Sequence, residues 1–573
     1  MEFIADLHLH SRFSRATAKN LDLEHIFQAA AIKGITVAGT GDFTHPLWFK
    51  ELEDKLEPAE DGLFKLKDQI VKELNNTINI LCYNQNQNNG EVHSDKADRL
   101  DNNRVRFILQ CEISSIYKKD GRVRKNHNLI YFPDMQSVRV FNEKLGKIGN
   151  ITSDGRPILG LDCEKLLEIM LETSENAFMI PAHIWTPWFS MFGSKSGFDS
   201  VEECFGSLAH HIFAVETGLS SDLPMNWRVE NLDRMSFISC SDAHSPMFMG
   251  RNASCFNTDL SYKGIRDALK MPFCNTLEVS SSASPFLIRE LNIDVNKLNN
   301  TYLGTIDMYP QEGKYHYDGH RKCNVCFNPS ETLAHNGICP KCGRPLTLGV
   351  LYRVEELASR PEGYTPANRH GYQSIIPLAE ILSEICQTGC KTKKVDSCYY
   401  KAIAALGPEL DILLKRDIDE IERAGIPLLS EAVKRMRNGQ IHLSPGYDGE
   451  FGRVTLFAPE EMQRLKGSIS MFKGYAAVKK GQEEKQALQA ETAKLPVKKP
   501  DIFQSINKIE TKIVETKIFQ TKIEPKSENL LNLEQQKAIN STNRPLLMEA
   551  GPGTGKTHTL TQKIASLIKN NYA

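Results

Sequence analysis

The sequence predicts an α/β protein with more than one folding unit, and three observations lead to this prediction. The chain has 573 residues, which exceeds the usual size of a single domain. In its first half, short apolar runs such as those at residues 3–7, 105–113 and 178–184 alternate with amphipathic stretches, a pattern typical of a mostly parallel sheet or barrel. From about residue 375 to residue 440, apolar residues recur instead at helical spacing.

The composition narrows the class of protein. With 40% hydrophobic and 25% charged residues, the chain is globular rather than wholly disordered. Its 70 basic and 71 acidic residues give a net charge of -1, so any surface for nucleic acid must be a local patch. No apolar run approaches the roughly 20 residues that span a bilayer, and the N-terminal residues lack the pattern of a secretory signal. We therefore expect a cytoplasmic protein with no membrane partner.

Changes in pattern along the chain divide it into five predicted segments. An α/β barrel is expected at residues 1–290, a cysteine-rich zinc-ribbon domain at 291–360, and a mainly helical C-terminal module with a Gly-Tyr-Asp-Gly element at 361–475. Residues 476–529 hold an excess of lysine and a short repeat, which predicts a flexible linker. A new folded unit begins at residues 530–573.

Histidines and carboxylates near strand ends are the strongest chemical signal. His8 and His10 lie two residues apart on a predicted strand, so their imidazoles point to the same side, and neutral imidazole suits Zn, Mn and Fe. Besides His8 and His10, the candidate ligands occur near the ends of later apolar runs and are Asp42, His45, Glu112, His127, His183, Asp242 and His244. Glu216 is a further polar residue that follows an apolar run. Because strand ends of an α/β barrel meet at one rim, we expect these side chains to hold two or three divalent ions (Zn, Mn or Mg).

The segments DLHLHS near the start and SDAHS far downstream resemble the polymerase and histidinol phosphatase (PHP) superfamily. That resemblance implies a distorted (β/α) barrel that hydrolyses phosphoesters with up to three metals. The implied ligand sets are His8, His10, Glu112 and Asp242; Glu112, His127 and His183; and Asp42 with His244. The family usually has Asp-His at the second motif, whereas Phe43 follows Asp42 here, and His45 is the candidate replacement.

Clustered metals activate water and polarise the phosphoryl group. We therefore expect Asp242 to orient or deprotonate the attacking water, and the predicted catalytic residues are Asp242, His183 and Glu112.

Two Cys-x2-Cys pairs lie in the second predicted domain. Their spacing and the sequence CPKCG predict a closed, tetrahedral zinc site that is structural rather than catalytic. The expected ligands are Cys323, Cys326, Cys339 and Cys342.

The domain order, with the segments GTGDFTHP, PAHIWTPW, FGSKSGFDS and SPGYDG, resembles the endonuclease Q family of DNA repair enzymes over residues 1–457. The resemblance implies cleavage of double- or single-stranded DNA on the 5′ side of deaminated bases (uracil, hypoxanthine, xanthine) and abasic sites. It also implies a flipped nucleotide in a pocket between the barrel and the later domains.

Aromatic faces can stack on an extruded base, and small polar residues can read its edge. The candidate DNA- and base-binding residues are Trp185, Trp188, Phe192, Ser194, Lys195 and Tyr447. Packing at the barrel rim remains the alternative for the two tryptophans, and turn formation remains the alternative for Tyr447.

The C-terminal segment AGPGTGKT follows an apolar run and precedes a helical stretch, which is typical of a phosphate loop. Together with LNLEQQKAI upstream, it resembles the start of UvrD-like helicases. The candidate nucleotide-binding residues are Gln535, Gly551, Gly553, Gly555, Lys556 and Thr557. Because the rest of a helicase does not follow, we expect no working ATPase and no need for ATP in cleavage. A helicase or a replication clamp is a candidate partner.

These observations predict a metal-dependent endonuclease directed at DNA lesions. One alternative is a PHP-type phosphatase or exonuclease that acts on another phosphoester, although a compact phosphate substrate needs neither the ribbon nor the aromatic loop. The second alternative is a non-catalytic DNA-binding adaptor of a helicase, against which the intact ligand set counts.

Overall fold

The fold is mixed α/β, with most strands before residue 310 and a helical region after residue 375. The computed structural model describes residues 1–83, 104–271, 301–366, 369–462 and 464–465. The predicted lysine-rich linker and phosphate-loop fragment lie outside these residues. Within the described residues, no helix combines the length and apolar character needed to cross a bilayer.

The described strands and helices have the following bounds. The strands are β1 (Glu2–Asp6), β2 (Val37–Gly39), β3 (Leu56–Pro58), β4 (Phe64–Leu66), β5 (Arg106–Lys119), β6 (Arg122–Phe132), β7 (Ile158–Leu159), β8 (Phe178–Pro181), β9 (Ala214–Glu216), β10 (Ser236–Ile238), β11 (Ala253–Asn257), β12 (Thr301–Met308), β13 (Asp318–His320), β14 (Val325–Phe327), β15 (Gly371–Ile375), β16 (His442–Ser444) and β17 (Arg453–Thr455). The helices are α1 (Leu23–Lys33), α2 (Pro46–Lys55), α3 (Asp68–Tyr83), α4 (Met135–Gly146), α5 (Cys163–Thr173), α6 (Val201–Phe205), α7 (Leu223–Asn226), α8 (Tyr262–Leu269), α9 (Pro329–Ala334), α10 (Val350–Leu357), α11 (Leu378–Cys386), α12 (Lys393–Leu406), α13 (Glu409–Leu414), α14 (Ile418–Arg423) and α15 (Leu429–Arg437).

One eleven-stranded sheet organises the barrel region. Its order is β15-β12-β11-β1-β2-β5-β4-β3, with β6 and β7 beside β5 and with β8 beside β6. Strands β1, β2 and β5 are parallel, whereas β11 is antiparallel to β1 and to β12, and β6 is antiparallel to β5. The prediction of a mostly parallel sheet is therefore wrong. Part of the reason is the tight turn at Asp120-Gly121, where both residues have positive φ; such a turn joins antiparallel strands directly.

An enclosed apolar core explains why the strands curve around one centre. Inward side chains of β1, β2, β5, β6 and β8 to β12 meet in a single buried cluster, and α8 packs against the same cluster. In β1, Phe3 and Ala5 belong to this inner cluster, whereas Ile4 belongs to the outer cluster that the helices cover. Because alternate residues of a strand point to opposite faces, this strand is buried on both of its faces.

The later segments are built onto the same sheet. Strands β12 and β15 pair in parallel, so the chain leaves the sheet after β12 and returns to it at β15. This pairing crosses the predicted boundary at residue 360, and the pairing of β11 with β12 crosses the one at residue 290. Helix α1 contacts the helical region through a buried ion pair between Lys33 Nζ and Glu409 Oε2 (2.8 Å). Glu409 also accepts hydrogen bonds from the Tyr399 hydroxyl (2.6 Å) and the Leu378 backbone N–H (2.9 Å).

Candidate metal-dependent active site

The candidate site lies where several strands of the enclosed core end. His8 and His10 follow β1, His183 follows β8, and Asp242 follows β10, next to a bridge that joins Leu9 to Ala243. Glu112 and His127 come instead from the middle of the long β5–β6 hairpin. These side chains are buried, except that His183 is 12% exposed and Asp242 is 24% exposed. The strand ends and the hairpin therefore direct them into one enclosed polar space.

Two groups of three potential ligands form in this space. His8, His10 and Asp242 present ligand atoms within 4.8 Å of one another, and Glu112, His127 and His183 form a second group by the same measure. Each group combines imidazole and carboxylate, which suits Zn and Mn. Within the described residues, no further group of this kind lies at the strand ends of the enclosed core.

Glu112 connects the two groups. Its Oε1 lies 2.7 Å from His127 Nδ1 and 3.2 Å from His183 Nε2. Its Oε2 lies 3.4 Å from His10 Nε2, and its Oε1 lies 3.8 Å from His8 Nε2. A carboxylate between two sets of imidazoles has the arrangement needed to bridge two ions.

Two further carboxylates support the histidines from behind. His8 Nδ1–H donates to Glu216 Oε1 (2.9 Å), and the backbone N–H of His183 donates to Glu216 Oε2 (2.7 Å). His10 Nδ1–H donates to Asp42 Oδ1 (3.1 Å). These bonds leave Nε2 of both imidazoles available to an ion. A metal-bound histidine usually donates its other ring N–H to a carboxylate or carbonyl in this way.

Asp42 therefore orients a histidine in this structure rather than joining a group of ligands. Its Oδ2 accepts from the Ser11 backbone N–H (2.6 Å), the Ser11 hydroxyl (2.7 Å) and the Ser14 hydroxyl (2.8 Å). A Cβ atom on Gly155 would lie 2.3 Å from the same oxygen. With both oxygens occupied and glycine packed against one of them, little space is left for an ion at Asp42.

An unpaired buried nitrogen and the pKa shifts of His10 and Glu112 indicate that the carboxylates of this space stabilise positive charge, although burial lowers the pKa of His127 to about 4. His8 Nε2 is buried without a hydrogen-bond partner although it points toward Glu112 and Asp242. Burial lowers the pKa of His10, but hydrogen bonds and charges from Asp242 and Asp42 raise it to about 9. Burial acts to raise the pKa of Glu112, yet the charges of His127 and Arg156 hold it well below its usual range. The residues therefore fit divalent cations.

His45 and His244 belong to neither group. His45 precedes α2, its ring stacks on Phe13 at 4.4 Å, and its Nδ1 is buried without a hydrogen-bond partner. The His244 ring lies 4.6 Å from the His10 ring, and its Nδ1–H donates to the backbone carbonyl of Asp242 (2.9 Å). The structure thus brings together six of the nine predicted metal ligands and leaves Asp42, His45 and His244 outside the two groups.

The backbone is strained where it delivers these side chains. Asp42, His183 and Asp242 have φ values of 46°, 30° and 46°, in a region that non-glycine residues rarely adopt. Close by, Gly218 has a φ of 64°, and a Cβ atom there would lie 2.5 Å from His183 Cβ. Each strained residue costs on the order of 1–3 kcal/mol, and such residues cluster at functional sites.

Arg156 is a site residue that sequence reasoning missed. Its Nη1 donates to Glu112 Oε2 (3.0 Å), and its side chain is 25% exposed. It follows Gly155, which packs against Asp42. The cation therefore faces both the metal-ligand space and solvent, where an anion could enter. It sits in a loop without a recognisable motif, so only the three-dimensional contact identifies it.

The predicted base-binding residues fall into two sets. Trp185 and Phe192 are fully buried, their rings lie 5.1 Å apart, and Trp185 Nε1–H donates to Asn226 Oδ1 (2.8 Å). The structure favours the packing alternative for Trp185, and Phe192 is buried in the same way. Tyr447 is half-buried, and its hydroxyl donates to Asn324 Oδ1 (3.0 Å).

Trp188 is exposed and borders a cavity of about 220 Å³. The cavity lies between the loop that follows His183 and the start of the ribbon segment. Its polar and aromatic lining includes Thr186, Ser220, Lys314, Tyr315 and His316. Ser194 and Lys195, also predicted to bind DNA, are exposed on the same loop as Trp188.

A third group of potential ligands lies in the ribbon. His320, Cys323, Cys339 and Cys342 place their ligand atoms within 4.8 Å of one another. Three of the four predicted cysteines are in this group, and Cys326 is not a member of it.

Comparisons with family models match two short parts of the chain. Residues 377–440 match the MJ0043 C-terminal domain, and residues 531–573 match the N-terminal domain of UvrD/REP helicases. The uncharacterized protein MJ0043 of Methanocaldococcus jannaschii is 31% identical over 50% of this chain, and the match spans 33% of that relative's length. The uncharacterized protein YqxK of Bacillus subtilis is 26% identical over 78% of this chain and 98% of its own length. A probable DNA helicase II homolog of Rickettsia conorii is 58% identical over 8% of this chain and 7% of its own length.

Comparisons with solved structures match most of the described residues. The lesion-specific endonuclease PfuEndoQ of Pyrococcus furiosus superposes with a TM-score of 0.63 at 28% identity, and the match covers 81% of this chain and 97% of that one. An endonuclease Q bound to a 27-mer duplex with an abasic lesion at its active site gives a TM-score of 0.61, also at 28% identity, over 81% of this chain and 98% of that one. This chain therefore resembles endonuclease Q over most of its length and a UvrD-type helicase N-terminal domain over residues 531–573.

Proposed function

We propose that this protein is a metal-dependent DNA repair endonuclease that nicks the backbone on the 5′ side of deaminated bases and abasic sites. The observation that carries the proposal is the convergence of His8, His10 and Asp242 with Glu112 and its histidine partners, inside a fold similar to endonuclease Q. The surrounding strands correspond in this proposal to a distorted PHP-type barrel.

The two groups of ligands would hold two divalent ions, with Glu112 between them. When bound, such ions polarise a phosphoryl oxygen and lower the pKa of water. Because Asp42 is already fully hydrogen-bonded, the contacts support two ions better than three.

Asp242 and Arg156 have geometry suited to activating the attacking water and to binding the cleaved phosphate. The Asp242 side chain is 24% exposed, and its Oδ1 lies 3.0 Å from His10 Nε2. A carboxylate that reaches both the ligand space and solvent can orient the attacking water and accept its proton. Arg156 donates a hydrogen bond to Glu112. It can bind the phosphate that is cleaved, because guanidinium and phosphate match in charge and geometry.

The cavity beside Trp188 is the candidate pocket for the lesion. Thr186 and Trp188 line it from the barrel side, and Tyr315 and His316 line it from the ribbon segment. Thr186 lies three residues beyond His183, a metal-ligand candidate, so a base in this cavity would leave its phosphate near that group. Aromatic stacking contributes about 1–3 kcal/mol per base, and an abasic or mismatched position costs less to extrude.

A basic face leads away from the ligands. On the β5–β6 hairpin, Lys118 and Lys125 lie on the same face as Glu112 and His127, because the paired residues alternate in register. Neither lysine forms an ion pair within the part of the chain that the structure describes. Lys118 is six residues beyond Glu112 along β5, which corresponds to roughly 20 Å. This face could contact the DNA backbone that flanks the cleaved phosphate.

The proposal is tested with end-labelled duplexes that carry one uracil, one hypoxanthine or one abasic site, with and without a chelator. We expect a single nick 5′ of the lesion that disappears with chelator and returns when metal is added back. Asp242→Asn should reduce the rate by at least 10²-fold, whereas His25→Gln, a change at a half-exposed histidine on α1, should not. A chelator-insensitive nick, or no nick at any lesion, would contradict the proposal. Turnover of phosphomonoesters alone would favour the phosphatase alternative, and binding without any cleavage would favour the adaptor.

A further inference from the structure

The short hairpin of the ribbon places His320 and Cys326 on opposite faces. His320 pairs with Val325, and Gly319 pairs with Cys326, in the antiparallel register of β13 and β14. Successive side chains of a strand point to opposite faces. His320 and Val325 therefore share one face, and Cys326 points to the other.

The remaining cysteines lie on the face of His320. His320 Nδ1 is 3.2 Å from Cys342 Sγ, and Val325 packs in a small buried cluster with Cys339. Cys323 lies in the single 3-10 turn between the two strands. The four ligand atoms lie within 4.8 Å of one another, and a tetrahedral zinc site with Zn–S bonds of about 2.3 Å needs neighbouring ligand atoms roughly 3.8 Å apart.

The opposite face of the hairpin is packed by a different part of the chain. The Tyr447 ring covers Gly319 so closely that a Cβ atom there would lie 2.4 Å from Tyr447 Cδ2. The Tyr447 hydroxyl donates to Asn324 Oδ1 (3.0 Å). Moving Cys326 to the zinc side would require a shift in strand register that breaks both contacts.

We propose that the ribbon binds zinc through Nδ1 of His320 and the thiolates of Cys323, Cys339 and Cys342, and that Cys326 is a free thiol. This set keeps the two-residue spacing in both halves, as His320-x2-Cys323 and Cys339-x2-Cys342, and three cysteines with one histidine form an established type of structural zinc site. Burial and the carboxylates of Glu331 and Asp318 raise the pKa of Cys326 to about 11. The inference does not depend on the nuclease proposal.

The test replaces zinc by Co²⁺ in the full-length protein and measures thiolate-to-cobalt charge-transfer absorption. Among the residues that the structure describes, the cysteines that belong to a group of potential ligands all lie in the ribbon, so the histidine and carboxylate groups of the barrel do not contribute to this absorption. We expect wild type and Cys326→Ser to give identical spectra and equal cobalt affinity. His320→Cys should raise the charge-transfer intensity by about one third, from three thiolates to four. Cys339→Ser serves as the control that must lose intensity.

A second measurement keeps the inference testable if a variant fails to fold. Native zinc-loaded protein is treated with an alkylating reagent, and the modified cysteines are mapped by mass spectrometry. Because its raised pKa slows alkylation, we expect Cys326 to react at the same rate with and without zinc, while Cys323, Cys339 and Cys342 stay protected until zinc is removed. An alkylation rate of Cys326 that rises on zinc removal together with those of the other three, or loss of charge transfer in Cys326→Ser, would overturn the histidine assignment. Absence of charge transfer in wild type would exclude zinc from the ribbon altogether.

Discussion

Replacement of Glu216 by Gln isolates the role of a supporting carboxylate, because the change keeps size and removes charge. Glu216 accepts from His8 Nδ1–H (2.9 Å) and from the backbone N–H of His183 (2.7 Å). A glutamine has one acceptor oxygen, so it can serve only one of these donors well. If its NH₂ group faces His8 Nδ1, the imidazole must move its proton to Nε2, the atom that faces the metal-ligand space. Loss of such a partner costs about 10–100-fold in metal affinity, or roughly 1.4–2.8 kcal/mol.

The assay is a Mn²⁺ titration of metal-stripped Glu216→Gln, read both by competition with a fluorescent chelator and by the rate of nicking at an abasic site. We expect the apparent Kd of the weaker of the two Mn²⁺ sites to rise by about 10–100-fold. Most of the nicking rate should return at saturating Mn²⁺. Asp222→Asn is the matched control, since this carboxylate accepts from the Met225 backbone N–H at the start of α7 and contacts no ligand candidate. An unchanged titration, or a lost rate that no metal concentration restores, would refute the argument.

Three further predictions concern surfaces and contacts away from the ligands. Replacing Lys118 and Lys125 together by Gln should lower the slope of log Kd against log salt for a lesion duplex by about 1.8, since each phosphate contact contributes about 0.9; fluorescence anisotropy at several salt concentrations measures this. Lys33→Met should reduce the free energy of unfolding by about 3–5 kcal/mol at neutral pH, because it leaves Glu409 buried without its cation. Burial acts to raise the pKa of Glu409, but Lys33 holds it below its ordinary value. The stabilisation of the wild-type protein by this ion pair is therefore present at neutral pH and is lost only as pH falls through that lowered pKa. In Lys33→Met the pKa should rise instead, so the deficit measured by denaturant unfolding should shrink as pH falls toward 5. Lys556→Ala should leave the nicking rate unchanged, with or without ATP.

Each of these predictions has its own control. Lys165 and Lys263 are exposed and already paired with neighbouring acids, so replacing both by Gln should leave the salt slope unchanged. A double variant, Lys33→Met with Glu409→Gln, should recover most of the lost stability, because a neutral amide needs no cation. A deficit in Lys33→Met that grows as pH falls would show that the ion pair is not its cause. Dependence of nicking on ATP would show that the helicase-like segment takes part in cleavage.

The sequence predicted the resemblance to endonuclease Q and to a UvrD-type segment, and the comparisons confirm both. It also singled out the six side chains that the structure gathers in two groups. Strand ends that face one rim account for His8, His10, His183 and Asp242, whereas Glu112 and His127 lie in the middle of the β5–β6 hairpin. The supporting role of Asp42 could not be predicted in the same way. A carboxylate that binds an ion and one that orients a histidine have the same sequence signal, and only the bonds from Ser11 and Ser14 separate them.

Other features depend on tertiary context that no local pattern contains. Trp185 and Phe192 lie in an aromatic segment that is equally compatible with stacking on a base and with packing, and burial decides between the two. The Cys-x2-Cys spacing includes Cys326, whereas strand register turns that thiol away from His320. The long β5–β6 hairpin was missed as well, although Asp120-Gly121 is a typical signal for such a turn.

The attachment of the ribbon limits how this protein can accommodate DNA. The polypeptide leaves the main sheet at the end of β12 and re-enters it at β15, whose residues pair directly with those of β12. A segment tethered at both ends to adjacent strands cannot swing outward as a clamp on a single hinge would. If the cavity beside Trp188 receives the lesion as proposed, the rearrangement must come chiefly from the nucleic acid, through local bending and unstacking. Duplexes that are already easy to deform at the lesion should consequently be the best substrates.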